Sequence, residues 1–311
     1  MIEFFKRINK KEKVKKLKHI SKDCLIECTD PNQEEIDFLI KKFRLRKDLI
    51  LDGLDIYENP RVERERGAIY IFLRTPIISV TVQKQLEQES SSSFLFILTK
   101  DNIIIISRAQ LKLFEILKNS KSFFTSNRSL TVLLILSSIS RIFGDSVREI
   151  MKSVKKDKTN IHQYNEKELL KLVIREDSIN DYLSSFSPLL DINKQIVNIK
   201  SLRFTEDEKE IIEDLAVDLT QTLNTCKNAL KNISNTRNYY TVTLTNKLNK
   251  TMTLLTFFTV FLTIPTIVFS LYGMNINLPL QNHTLIFPII ISVIGLLWIA
   301  MIILLKKTKM I

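Results

Sequence analysis

The stretch NKTMTLLTFFTVFLTIPTIVFSLYGMN, residues 249–275, decides how the whole chain is read. From residue 251 it carries no charged side chain, and the uncharged window runs on to residue 305. The chain has 46 Lys and Arg against 34 Asp and Glu, a net charge of +12, and every one of these charges lies outside the window. An uncharged run of this length has the composition of membrane-spanning segments, while the 250 residues before it suffice for a large soluble domain. Within the quoted stretch, Asn249, Thr253, Thr256, Thr259, Thr263, Thr266 and Ser270 follow one another in steps of three or four. On a helix, that spacing puts them along one face. Such hydroxyls can bond to carbonyls of their own helix or let helices approach closely. An unbroken polar face from one side of a membrane to the other is also what a wet lumen requires.

Working outward, the window divides into two candidate spans, residues 252–272 and 285–305, joined by a polar loop at 273–284. A 21-residue span gives about 31 Å of helix, matching a hydrocarbon core of about 30 Å. The second span has no polar stripe; apart from Ala300, Ser292 and Gly295 are its only small residues. The first is therefore predicted to face a lumen and the second lipid. Two helices cannot enclose a pore, so several copies must assemble around an axis. Lys247 and Lys250 precede the first span, and Lys306, Lys307 and Lys309 follow the second in a basic tail, 306–311. The bias of positive residues puts both termini in the cytoplasm and the loop outside, for a multi-pass protein of the cell membrane.

Upstream, Ile212, Leu215, Leu219, Leu223, Cys226, Leu230 and Ile233 recur at helical spacing, and no Gly or Pro breaks the chain between Pro188 and Pro265. One helix is predicted to run through a stalk, 205–251, and into the first span. Residues 21–204 read as a cytosolic α/β domain with a helical extension. Asp30-Pro31 with Glu34 and Glu35 opens an amphipathic helix, and residues 68–74, 94–98 and 102–107 read as buried strands. Eight basic residues between Lys6 and Lys18 read as a solvated tail, 1–20, and no nucleic-acid partner is expected. The five glycines (Gly53, Gly67, Gly144, Gly273 and Gly295) are never clustered, which excludes a phosphate-cradling loop. Cys24, Cys28 and Cys226 form no zinc-ligand set with the scattered histidines and are expected to be buried, reduced thiols.

Tyr272-Gly273-Met274-Asn275, placed directly after the first of two C-terminal spans, resembles the signature of CorA-type magnesium transporters. The start of the first span, Asn249 to Thr256, and the run Asp52, Glu58, Asn59, Pro60, Arg61, Val62, Glu63 and Phe72-Leu73-Arg74 are similar to the same family. The resemblance implies an α+β membrane protein: an α/β/α cytosolic domain, a long stalk helix and two C-terminal transmembrane helices in a funnel-shaped homo-oligomer, a pentamer. It implies that Gly273, Met274 and Asn275 form an external selectivity site, with Asn275 meeting hydrated magnesium in its outer sphere. Asn249 would sit at the inner mouth, and Met252 and Leu255 at an apolar constriction. Thr263 replaces an often apolar constriction residue, and Thr256, Thr259, Thr266 and Ser270 would complete the pore lining. Lys306, Lys307 and Lys309 resemble a basic collar, with the acids from Glu206 to Asp218 near it. Magnesium is expected as the transported ion and a candidate regulator, with no resident cofactor; the partners are the bilayer, divalent cations and further copies of the chain.

Two positions depart from the family pattern. The loop after Asn275 has no carboxylate, and a stalk position that carries a metal-binding acid in the family is Asn238 here, so the regulatory metal site is not assigned. The expected function is channel-like uptake of hydrated divalent cations, chiefly magnesium, driven by membrane potential, and no enzymatic activity. The alternatives are the same scaffold carrying zinc, cobalt or nickel, and a non-conducting membrane-anchored regulatory protein.

Overall fold

The computed structural model describes residues 1–8, 12–81, 86–158, 166–199, 202–276 and 285–307. The chain forms two compact units, Met1–Arg237 and Asn238–Ile311. The first is built on a seven-stranded sheet of order β2-β1-β3-β7-β6-β5-β4. Its strands are β1 (Ile2–Lys6), β2 (Lys15–Leu17), β3 (Leu25–Thr29), β4 (Arg61–Glu65), β5 (Ala68–Thr81), β6 (Leu86–Leu98) and β7 (Ile103–Ser107). Only β3 and β7 pair in parallel; the other neighbours are antiparallel. The central strands are buried on both faces, which is why they read as continuous apolar runs such as FLFIL and IIII rather than as alternating patterns.

Helices cover both faces. Against one, α1 (Gln33–Phe43) and α2 (Lys47–Gly53) pack Ile36, Leu39, Leu49 and Ile50 onto Ile26, Tyr70, Phe72, Leu95, Ile97 and Ile104. The start of α1 is fixed by Asn32, whose side chain accepts from the Glu35 amide while Glu35 accepts from the Asn32 amide. On the other face lie α3 (Lys112–Asn119), α4 (Arg128–Lys158) and α5 (Glu166–Val197). Phe114 of α3 meets Phe94 edge-on, and Asp181 of α5 pairs with buried Arg74 of β5 at 3.1 Å. The second Asp181 oxygen accepts from the Ser91 amide at 2.6 Å. The β4–β5 turn places Arg66 and Gly67 at φ 51° and 79°, the left-handed pair that a two-residue hairpin needs and glycine supplies without strain.

α6 (Glu206–Tyr272) is one helix of 67 residues. Thr205 and Glu208 cap its start reciprocally, and Glu208 also accepts from Asn127 at 3.1 Å. In the first unit the seam expected from the sequence is buried at Ile212, Leu215, Leu219, Cys226 and Ile233, while Leu223 and Leu230 are half-buried and Ala229 is buried beside them. In the second unit, residues 238–272 of α6 pack with α7 (Ile286–Lys307).

The structure corrects one expectation. Part of the stretch read as a basic solvated tail, 1–20, is the edge of the sheet: β1 pairs with both β2 and β3. Phe5 is buried with the Lys118 ammonium 4.0 Å above its ring, and the Arg7 guanidinium donates to the Ser120 carbonyl at 2.6 Å. Lys13, Lys15, Lys16 and Lys18 are exposed along this edge, as edge strands favour, and the many lysines of the stretch hid the strand pattern beneath. The strand read at 68–74 runs on to Thr81.

Removing Asp181 leaves the Arg74 guanidinium buried without its counter-ion. Asp181→Ala is expected to cost about 3–5 kcal/mol, read as a lower denaturant midpoint of the full chain, with Asp181→Asn losing less. All three cysteines are buried and free. Burial pushes the Cys28 thiol up to about 12 and the Cys226 thiol up to about 11, and also raises Cys24. A thiol-specific reagent at pH 8 is therefore expected to label the native protein negligibly and all three positions after denaturation.

Candidate ion-conduction site

Among the described residues, three helices are long and apolar enough to cross a membrane, and burial separates them. The apolar window of α4 has mean hydropathy 1.5 and is 61% buried, so that helix uses its apolar face inside the soluble unit. The windows of α6 and α7 reach 2.1 and 2.8 and are 0% and 6% buried. These two helices expose large side chains such as Leu254, Phe258, Leu262, Phe287, Leu296 and Ile303. That distribution is right for a lipid solvent and wrong for water.

Within the second unit, α6 has two opposed faces. Phe257, Phe261, Ile264, Pro265 and Val268 are half-buried on the α7 side, where Ile294, Gly295 and Trp298 lie. Thr256, Thr259, Thr263, Thr266 and Ser270 are exposed, and the last four each stand two residues from a member of the packed set. Two residues are about 200° around a helix, so the polar face points away from α7. Asn249, Met252 and Leu255 are exposed, while Thr253 is half-buried at the margin of the face.

The hydroxyls are held rather than free. Thr256 donates to the Met252 carbonyl at 2.9 Å, Thr259 to Leu255 at 3.0 Å, Thr263 to Thr259 at 2.7 Å and Thr266 to Leu262 at 2.8 Å. Each proton is thus committed to the turn below, and the hydroxyl oxygen keeps its acceptor capacity on the exposed side. These four threonine levels accept hydrogen bonds and offer none. Their natural complement is a species that presents only donors, such as a cation wrapped in its own water shell.

The face ends where α6 ends. The Gly273 amide still closes onto the Phe269 carbonyl at 2.9 Å and the Met274 amide onto Leu271 at 3.3 Å. Gly273, Met274 and Asn275 then leave the helix, all exposed. A Cβ on Gly273 would stand 3.2 Å from the Phe269 carbonyl, a tight contact at this turn. Asn277 and the rest of the loop to residue 284 lie outside the described residues, as does Lys309; Lys306 and Lys307 are the last two residues of α7.

Among the acids at the start of α6, Glu208 is taken up by its capping role, while Glu206, Asp207, Glu210, Glu213, Asp214 and Asp218 are exposed. Asn238 is exposed as well. Among the described residues no group of three or more His, Cys, Asp and Glu is placed to hold a metal. The carboxylates of the family-like run around Arg61 have another use: Asp52 (2.8 Å), Glu63 (2.5 Å) and Glu58 all pair with its guanidinium, which lies 3.9 Å over the Phe72 ring.

One contact was missed by reading spacing alone. Pro265 has no amide hydrogen, so the Phe261 carbonyl four residues earlier loses its helical donor. The indole N–H of Trp298 donates to that carbonyl at 3.1 Å, and the indole stacks on the Phe261 ring with centroids 4.0 Å apart and planes 14° from parallel. The signal was present in the sequence: a proline inside an apolar span demands a donor from elsewhere.

Comparison with known proteins agrees with this architecture. The cobalt/magnesium transport protein CorA of Methanocaldococcus jannaschii is 24% identical over 274 residues, covering 83% of this chain and 82% of the relative. The complete structure of the CorA magnesium transporter from the same organism aligns over 100% of this chain and 99% of its own, with a TM-score of 0.78 at 20% identity. The full-length CmaX protein aligns over 96% of this chain and 95% of its own, with a TM-score of 0.67 at 16% identity. Residues 24–307 match the family described as CorA-like Mg2+ transporter protein. With a fold shared from end to end and a family match spanning most of its length, the chain belongs to the CorA-like Mg2+ transporter proteins.

Proposed function

We propose that this protein is a channel-like transporter that takes up hydrated divalent cations, chiefly magnesium, through a homo-oligomer, a pentamer by resemblance to its family. The observation that carries the reading is the polar face of α6, acceptor-only at Thr256, Thr259, Thr263 and Thr266, opposite α7 and ending at Gly273-Met274-Asn275. Copies arranged with these faces inward would line a lumen with hydroxyl oxygens and leave α7 and the apolar flanks to lipid. Both termini would be cytoplasmic, with the loop after Asn275 outside.

Magnesium sheds its water reluctantly, so a selective mouth must read the shell rather than the bare ion. A ring of Asn275 amide oxygens would accept hydrogen bonds from the bound waters. It is neutral, and so holds the ion weakly enough to release it, where a carboxylate ring would bind tighter and slow conduction. Thr263 keeps the middle of the path polar, and Met252 and Leu255 leave an apolar level below it for closing. No coupled energy source is required: an inward divalent charge gains roughly 4–5 kcal/mol per 100 mV. Met274 in the centre of the triplet favours magnesium over zinc, and the cobalt/magnesium relative makes cobalt the second ion to test. A purely regulatory anchor would have no use for an acceptor face along a whole span.

The lumen can be tested position by position because the native thiols are buried. In liposomes, Thr266→Cys is expected to react with a charged methanethiosulfonate reagent, while Phe258→Cys, off the polar face, stays unlabelled. Equal labelling of both would refute the orientation. With an inside-negative potential, magnesium entry into liposomes is expected from the wild type, and Asn275→Ala should cut it at least tenfold while assembly persists. Undiminished entry in that variant would remove Asn275 from the selectivity site.

A further inference from the structure

A helix that lines a conduction path must hold its shape at its weakest point, and in α6 that point is Pro265. Its ring crowds the Phe261 carbonyl and its missing amide leaves that carbonyl without a helical partner. In hydrocarbon an unpaired backbone carbonyl is costly, because no water is present to take the place of the lost donor. Sharp bends in helices concentrate at such gaps. The gap sits between Thr263 and Thr266, so a change of helix direction here would move the upper half of the polar face relative to the lower.

We propose that Trp298 is a positioning residue for conduction: from α7 it supplies the hydrogen bond that Pro265 removed from α6, and so fixes the alignment of the Thr263 level with the Thr266 and Ser270 levels. Three observations converge on it. The donor is in place at 3.1 Å, the ring is held by its stack on Phe261, and Trp298 is the only tryptophan in the chain. Indole is suited to the task because it combines one directed donor with a large apolar body that a membrane interior tolerates. Phe261 is bound twice, through its ring and its carbonyl, so its peptide unit cannot rotate without breaking one contact or the other. Movement of α7 against α6 would release the gap and let the pore-lining helix bend. The consequence for flux rests on the transport reading above; the cap itself does not.

The experiment is a double-mutant cycle with two readouts on the full-length protein in lipid nanodiscs and liposomes. Trp298→Phe keeps an aromatic ring against Phe261 and removes the donor. Pro265→Ala restores the amide that Phe261 lost and makes the indole donor redundant. Amide hydrogen exchange in residues 262–269 is expected to quicken about tenfold in Trp298→Phe, and magnesium entry to fall several-fold. Adding Trp298→Phe to the Pro265→Ala background should change neither. A merely packing role for Trp298 predicts the same change in both backgrounds, and that result would overturn the cap, as would unchanged exchange in Trp298→Phe. If exchange shows the coupling but the wild type passes no cation, the cap stands and the transport reading falls.

Discussion

The structure depends on one constraint: inside hydrocarbon, every backbone carbonyl and every side-chain hydroxyl must find its partner within the protein or within water that the protein encloses. The two exposed helices meet it in different ways. α7 is apolar almost throughout, with Ser292 satisfied by the Pro288 carbonyl at 2.8 Å, so its surface can meet lipid on most sides. α6 carries a row of hydroxyls, and those of Thr256, Thr259, Thr263 and Thr266 are committed to the turn below. Under the proposed transport function, the remaining acceptors and the terminal Asn275 would face an aqueous path that further copies of the chain enclose.

The same constraint explains the distribution of charge. With none allowed between residues 251 and 305, all ionic structure is confined to the soluble unit and the ends of the spans. In the first unit, two buried charges are matched by ion pairs, Arg74 with Asp181 and Glu27 with Lys118 at 2.6 Å, on elements far apart in sequence. These pairs join sheet to helix more specifically than the apolar faces can, because an unmatched buried charge is far more costly than a displaced methyl group. The surrounding strands need no such device, being apolar on both faces.

How much of this was legible in the sequence depends on how local the cause was. The three core strand runs, the Asn32–Glu35 cap region and the seam of α6 were readable because their signals lie in adjacent or helically spaced residues. The strands at Ile2–Lys6 and Lys15–Leu17 were not, since the lysines in and between them dominate any local window. The outer half of β5 pairs with the serine run of β6, which has no apolar pattern to announce it: Thr75 faces Ser92 and Pro76 faces Ser91. The polar face of α6 was visible as a spacing. That it points away from α7 depends on which side Trp298 and Ile294 occupy, which no spacing reveals. α4 shows the reverse hazard, being apolar enough to pass for a span until its burial is known.

Pro265 brings these strands of argument together. In a water-soluble helix the freed Phe261 carbonyl would be hydrated at little cost, and the proline would signify only a bend. In a span it becomes an obligation that another helix must meet, and the structure meets it with the single tryptophan of the chain. Pro265 and Phe261 both lie on the α7 side, so the repair is made in the packed seam and the opposite face is left uninterrupted for the threonines. Had the proline fallen two residues earlier, at Thr263, the carbonyl left open would have been that of Thr259, on the polar face itself, where water rather than an indole would have to satisfy it. The position of one proline thus decides whether α6 is braced by its neighbouring helix or by whatever meets its polar face, and here it is braced by its neighbour.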